Sequence, residues 1–360
     1  MEDRIEVYLR ARRLWSRVPH RSIPVLDAAA YLAGEPGAAS RLASELQQAQ
    51  QNIGFFFLNN HAVPERLIER SFAAVEEFFA LPLEQKLALS ARADFTGYIP
   101  VAGSQLRNSY VGSNREPDLT ETMNYMRDVP EDSPQLLAGR RMMGPNKWPA
   151  AQPWLKPIIQ AYMRESMRLA YRLLPLYALA LGAAADYFDD KFDDPSVNCR
   201  SGHYPPVSPR DDQFGLGAHT DLGFLTLLPP SKVAGLQIQT LEGEWIDVPH
   251  LPGHLLVNGG DMLARFSNGQ FLATPHRVLP NRGPAHRYSL PIFFQPNFST
   301  LVAPMPSCVD AEHPALFEPV RFGEYREWYV AQVSDRYELA DLASASQSSA
   351  PHANDPPQVS

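Results

Sequence analysis

Apolar and polar positions change rhythm along this chain. From Ser22 to Asp27 (SIPVLD) a short apolar run reads as a strand, after which Leu42, Leu46 and Ala49 recur at helical spacing. Ile53 to Leu58 (IGFFFL) is a compact aromatic strand. Leu67, Phe72, Val75, Phe78 and Phe79 then follow a helical period between Pro64 and Leu89, with Pro82 dividing that stretch into two helices. Together these pieces predict an N-terminal β-α-β-α cap.

Residues 95–150 are irregular and rich in Gly, Pro, Asn and Arg, with Gly97-Tyr98 and Glu121 to Tyr125 standing out, and read as a long lid or substrate loop. Trp154 to Leu181 favours helix, with interruptions expected at Pro157 and Pro175 and a stop at Gly182. From Val197 to about Phe298 the runs become short and β-rich: Phe224 to Leu228, Leu236 to Gln239, Trp245 to Val248, Leu255 to Val257, Met262 to Phe266, Arg277 to Leu279, and Tyr288 to Phe294. Strands at this spacing predict a sandwich or jelly roll. The predicted organisation is therefore a cap over residues 1–95, a jelly-roll domain with a long backing helix over 96–340, and a disordered tail over 341–360. The tail, ASASQSSAPHANDPPQVS, is too polar to offset its ordering entropy.

With 360 residues and 44% hydrophobic content, the chain can bury an enzyme-sized core. The net charge of −8 leaves no basic stripe for a phosphate backbone or an anionic membrane, so neither nucleic acid nor membrane is an expected partner. Cys199 and Cys308 lack the paired spacing of a zinc or iron–sulfur site and read as buried, reduced thiols. The opening MEDRIEVYLRARRLW has no continuous apolar stretch, and no later run reaches the length of a membrane span, so a cytoplasmic location is expected. Nothing in the sequence sets an oligomeric state, and a monomer is compatible with it.

His219-Thr220-Asp221 places two ligand-capable side chains one residue apart, on one face of an extended segment. His276 follows a strand–turn region. Two imidazoles and one carboxylate on one face of an octahedron leave three positions open, the arrangement of non-haem Fe(II) oxygenases. Alone, the pair in HTD would fit a turn cap at least as well. Arg287-Tyr288-Ser289, on the β-run RYSLPIFF, adds a guanidinium and a hydroxyl on a shared face, suited to a carboxylate. His61 reads as a turn-stabilising residue, and His203, His250, His254 and His286 lack partners at ligand spacing. No Gly-x-Ser-x-Gly elbow or phosphate loop is present, because the GxG at Gly215 to Gly217 precedes the HTD strand and opens no helix.

HTD at 219–221, TPHRV at 274–278 and RYS at 287–289 resemble the iron and co-substrate motifs of 2-oxoglutarate/Fe(II)-dependent dioxygenases of the isopenicillin N synthase-like superfamily. SIPVLD, GFFFLNNHAVP, FFALPLEQK, Tyr204-Pro205-Pro206 and VNGGDML are similar to that family as well. The resemblance implies an α+β fold, a distorted double-stranded β-helix (jelly roll) backed by helices. It implies that His219, Asp221 and His276 bind Fe(II), that Arg287 and Ser289 hold the distal carboxylate of 2-oxoglutarate, and that Tyr204 hydrogen-bonds a carboxylate near the metal. O₂ would be the second co-substrate, ascorbate a supporting reductant, and no catalytic side chain beyond the metal centre is needed.

The implied reaction couples decarboxylation of 2-oxoglutarate to succinate and CO₂ with hydroxylation, desaturation or cyclisation of a small-molecule metabolite. A 2-oxoglutarate-independent Fe(II) oxidase, an ethylene-forming variant and a non-catalytic jelly-roll binding protein remain alternatives. Strand alternation from Arg287 and Ser289 turns Phe293 inward, and the GY and ETMN segments make Tyr98, Asn124 and Met126 candidate substrate contacts. Phe293 and Tyr98 would suit an apolar or aromatic substrate, whereas Arg107, Arg115 and Arg127 would suit an acidic one. Gly202-His203, Pro229-Pro230-Ser231 and residues 99–117 depart from the commonest family pattern, and they bear on the substrate more than on the iron.

Overall fold

The computed structural model describes residues 4–91, 96–106, 116–129, 132 and 145–336. The expected tail over 341–360, with Arg107 and Arg115, lies outside the described residues. Among those described, the strands form a nine-stranded sheet and a four-stranded sheet, with two small two-stranded pairs beside them. In pairing order the large sheet runs Val25–Asp27, Phe55–Asn59, His254–Gly259, Leu225–Leu228, Ile292–Gln295, Ser196–Tyr204, Glu121–Met126 and Gly97–Ile99, with Arg287–Ser289 also paired to Ser196–Tyr204. The small sheet runs Trp245–Asp247, Leu236–Gln239, His276–Val278 and Leu216–His219. This is the expected jelly roll with helices against one face.

The aromatic strand Phe55–Asn59 shows how two cores arise. Successive side chains leave a strand on opposite faces: Phe56 and Leu58 enter the core between the large sheet and the helices, while Phe55 and Phe57 enter the smaller core between the two sheets. Because both faces are buried, the run reads as continuously apolar. Its pairing with His254–Gly259 makes the N-terminal β-α-β part of the large sheet.

Glu65–Phe79 and Leu83–Leu87 are the two helices expected around Pro82, which sits at the second helix's N-cap. Arg4–Leu14 is an additional helix whose Val7 and Ala11, one turn apart, are buried. Leu155–Ala180 is one continuous helix, contrary to the interruptions expected at its prolines. Pro157 falls in the first turn, where backbone N–H groups have no intrahelical partner. Pro175 lies in the interior, and the burial of Leu169, Leu173, Leu176 and Tyr177 around it offsets the missing hydrogen bond. No described helix is long and apolar enough to cross a membrane.

Two further expectations are corrected. Asp261–Phe266 is a helix, although Met262 to Phe266 read as a strand. Met262, Leu263 and Phe266 are its buried apolar residues, at helical spacing, and so short an apolar run fits either period. Glu121–Met126, read as part of a lid, is instead a strand of the large sheet with every residue buried. Met123 and Tyr125 enter the helix-side core while Thr122 lines the cavity, a polar–apolar alternation too short to stand out from the Gly-, Pro- and Arg-rich stretch around it.

Candidate metal centre and its cavity

The strand Leu216–His219 ends on the first histidine, and Asp221 follows in the turn. His276 opens the neighbouring strand and stands directly opposite His219 in the antiparallel register. One ligand atom from each of His219, Asp221 and His276 lies within 4.8 Å of the others. Oδ1 of Asp221 is 3.5 Å from Nε2 of His276 and 3.9 Å from Nε2 of His219.

The surroundings decide which atoms are free to ligate. His219 Nδ1 donates to the Gly217 carbonyl at 2.8 Å and His276 Nδ1 to the Thr274 carbonyl at 3.1 Å. A carbonyl only accepts, so both hydrogens sit on Nδ1 and both Nε2 lone pairs face Asp221. On the carboxylate, Thr226 Oγ1 donates to Oδ2 at 2.6 Å and Asn258 Nδ2 at 2.7 Å, which leaves Oδ1 toward the imidazoles. The turn behind is tightly packed: a Cβ on Gly260 would stand 2.4 Å from the Gly223 carbonyl oxygen and 2.7 Å from that of Asp221.

Burial pushes His219 down to about 3, with the charge of His276 adding to the effect. Burial also opposes ionisation of Asp221, yet His276, His219 and Asn258 together hold its carboxyl below the usual range. For His276 burial acts downward, and Asp221 outweighs it to leave the imidazole above its ordinary value. The cluster therefore presents a neutral imidazole, an ionised carboxylate and an imidazole that competes for a positive charge. Two nitrogen donors and one oxygen, buried and preoriented, fit a divalent first-row metal with open coordination positions.

The triad opens on a solvent-connected cavity between the sheets. Arg287 and Ser289 line it from the large sheet, opposite Tyr204 and Gly202 in register. The Arg287 guanidinium lies over the Tyr204 ring at 4.6 Å, is 3% exposed, and has no partner for Nε or Nη1. Unpaired buried donors are costly, so this arginine fits an anion to which the Ser289 hydroxyl can also donate. Gly202 leaves the space, since a Cβ there would lie 2.8 Å from Ser289 Oγ.

Of the substrate residues expected from sequence, Phe293 lines the cavity. Tyr98 does not: it pairs with Met123, so alternation turns it to the helix side, where it packs on Phe78 and donates to Glu121 Oε2. Asn124 is buried opposite Arg200 and is not on the cavity wall. Met126 is buried at the strand end, where Asn146 brackets its backbone. Thr122, Arg200, Thr226 and Asn258 are the wall and support residues that sequence reasoning missed. The polar Thr226 within the apolar LTLL and Asn258 within VNGG were the available signals. Arg127 is tied to Asp194. His61 accepts from the Val63 N–H at 3.1 Å, the turn role expected of it, and His203 binds Glu121 and His286.

Comparison with known proteins agrees with this geometry. The family profile described as the 2OG-Fe(II) oxygenase superfamily matches residues 192–296, and that of the non-haem dioxygenase in morphine synthesis N-terminal matches residues 23–151. The chain is 30% identical over 336 residues to the 2-oxoglutarate-Fe(II) type oxidoreductase hxnY of Emericella nidulans, covering 89% of this chain and 95% of the relative. It is 33% identical over 295 residues to the 2-oxoglutarate-dependent dioxygenase citB of Monascus ruber, covering 79% and 87%. The crystal structure of a full-length Neurospora crassa protein in complex with alpha-KG and thymine superposes with a TM-score of 0.75 at 27% identity, covering 86% of this chain and 96% of that one.

Proposed function

This chain belongs to the 2OG-Fe(II) oxygenase superfamily and is an Fe(II)- and 2-oxoglutarate-dependent oxygenase, and from that premise we propose how its own residues divide the work. His219, Asp221 and His276 hold the iron. Arg287 and Ser289 take the distal carboxylate of 2-oxoglutarate, with Tyr204 beneath the guanidinium. The primary substrate is a small-molecule metabolite that undergoes hydroxylation, desaturation or cyclisation. Support for a small substrate comes from the largely apolar cleft beside the triad and from the Neurospora crassa neighbour solved in complex with thymine.

When bound, the iron supplies a redox-active Lewis acid at which O₂ is reduced at the expense of 2-oxoglutarate, giving succinate and CO₂. The chain's task is orientation and exclusion of water. Thr226 and Asn258 fix the carboxylate of Asp221, and the two backbone carbonyls fix the imidazole tautomers. Arg287 offers a desolvated charge, strengthened by its apolar surroundings. Leu216, Leu228, Leu236 and Val278 make the wall around these polar groups apolar.

The observation that carries this reading is the pair of unpartnered Arg287 donors facing the cavity that the triad shares. Anaerobic titration of the Fe(II)-loaded protein with 2-oxoglutarate tests it through the weak visible charge-transfer band of the chelate. The band is expected in the wild-type protein and absent in His219→Ala. Its absence from the wild type, or its survival in the variant, overturns the assignment.

A further inference from the structure

Among the described residues two arginines line the cavity, and the proposed co-substrate uses only one. The second, Arg200, sits on Ser196–Tyr204 two positions before Gly202 and four before Tyr204, so strand alternation puts it on the same inner face. Among the described residues it has neither a hydrogen-bonded side-chain partner nor a carboxylate within ion-pair distance, and it is half-buried. Its charge bears on His219 and on the buried Asp118, yet neither bonds to it. The Asp118 carboxylate instead accepts from the Gly217 N–H at 2.9 Å.

The patch around Arg200 is specific in character. Its backbone N–H donates to the Pro291 carbonyl at 3.2 Å, and Pro291 and Phe293 line the cavity beside it. The remaining wall sets Phe55, Leu216, Leu228, Leu236 and Val278 among the metal triad, Thr122, Thr226, Asn258 and the Arg287 group, so Pro291 and Phe293 are the apolar surface nearest Arg200 in the strand register. A guanidinium at the edge of an apolar, aromatic surface recognises a planar anion through paired N–H donors, while the adjoining surface takes an apolar body.

We propose that Arg200 is the specificity-determining residue for the primary substrate, and that this substrate is an organic carboxylic acid whose apolar body lies along Pro291 and Phe293. The proposal rests on the assignment of Arg287 to 2-oxoglutarate. With Arg287 occupied, Arg200 is, among the described residues, the cavity-lining cation left for a second anion. The acid group anchored at Arg200 fixes which carbon of the body is presented to the metal centre.

The test uses the full chain, loaded anaerobically with Fe(II) and 2-oxoglutarate so that binding is read without turnover. Phenylacetate, hydrocinnamate and octanoate are each titrated beside their primary amides by calorimetry. At least one acid is expected to bind about ten- to a hundredfold more tightly than its amide, the range of a charge-assisted hydrogen bond. Arg200→Gln should abolish that ratio, and Arg200→Lys should retain part of it, while both keep the wild-type affinity for 2-oxoglutarate. Acids that bind no better than amides, whether both bind or neither does, overturn the proposal, as does a ratio that survives Arg200→Gln. Failure of the wild-type protein to bind 2-oxoglutarate would instead sink the reading on which the proposal rests, so the two failures are distinguishable. Circular dichroism of both variants checks that their folds are intact.

Discussion

His219 and His276 stand directly opposite one another in the small sheet, with ring centroids 4.2 Å apart. Their pairing brings the far-separated HTD and TPHRV segments to one point, while Asp221 reaches both Nε2 atoms from the turn. Positioning of that carboxylate depends on Asn258 and Thr226. Asn258→Ala should therefore weaken Fe(II) binding by about 10- to 100-fold while sparing all three ligands. Competition with a chromogenic chelator measures this, and an unchanged affinity would show that Asn258 does not position Asp221.

Arg287 should set affinity for 2-oxoglutarate without setting that for iron. Its fork can engage a carboxylate through two donors, a geometry that an ammonium group cannot copy. Arg287→Lys is expected to weaken 2-oxoglutarate binding by about tenfold or more, and Arg287→Gln more severely, with Fe(II) affinity retained. Calorimetry on the Fe(II)-loaded protein under nitrogen separates the two constants. Equal losses in both would contradict the division of labour.

Much of this site was legible because its ligands occur in short, strongly typed motifs. The separation of His219 and Asp221 by one residue, and of Arg287 and Ser289 by one, survives any uncertainty in element boundaries. Phe293 was found because the alternation from Arg287 keeps its phase across the short break at Leu290 and Pro291 between two strands that both pair with Ser196–Tyr204. Tyr98 was misplaced because its facing depends on the register with Glu121–Met126, and register across distant strands is not written in local sequence. Arg200 was missed for the same reason: an arginine in NCRSGHY reads as a surface residue until Gly202 and Tyr204 are seen lining the cavity with it. Asp261–Phe266 was misread because so short a run cannot tell a period of two from a helical one.

Asp118 should impose a pH dependence on stability. It is 2% exposed, and burial pushes its carboxyl up to about 7 against the opposing Gly217 N–H and the charge of Arg200. A folded-state value above the unfolded 3.8 means that the folded protein favours the protonated acid. The stability this confers is complete below about 3.8 and is lost as pH rises through about 7. Asp118→Asn should flatten that interval, with a relative gain at neutral pH bounded at about 4 kcal/mol by about 1.36 kcal/mol per pKa unit. Urea denaturation of both proteins across this range is the measurement. Parallel pH profiles would show that Asp118 ionises normally.

Glu121 ties the strand bearing Thr122 to the N-terminal region, and this makes its largest predicted effect one of stability. Its carboxylate accepts from Lys86 Nζ at 2.7 Å, from the Tyr98 hydroxyl, and from His203 Nδ1 at 2.6 Å. Lys86 in turn donates to the Phe79 carbonyl at 2.9 Å, and both charged side chains are buried. Burial opposes ionisation of Glu121, but the His203, Lys86 and Tyr98 hydrogen bonds more than compensate and hold the group below its ordinary 4.5. Its contribution is thus present above 4.5 and lost as pH falls beneath that value. Removing only the cation strands a buried carboxylate, so Lys86→Met should cost about 3–5 kcal/mol. Lys86→Met combined with Glu121→Leu should recover much of that loss, because apolar replacement of both partners removes the uncompensated charge. Urea denaturation of the two single variants and the double variant gives the coupling energy directly. If the three losses simply add, Lys86 and Glu121 act independently and the strand is held by packing alone.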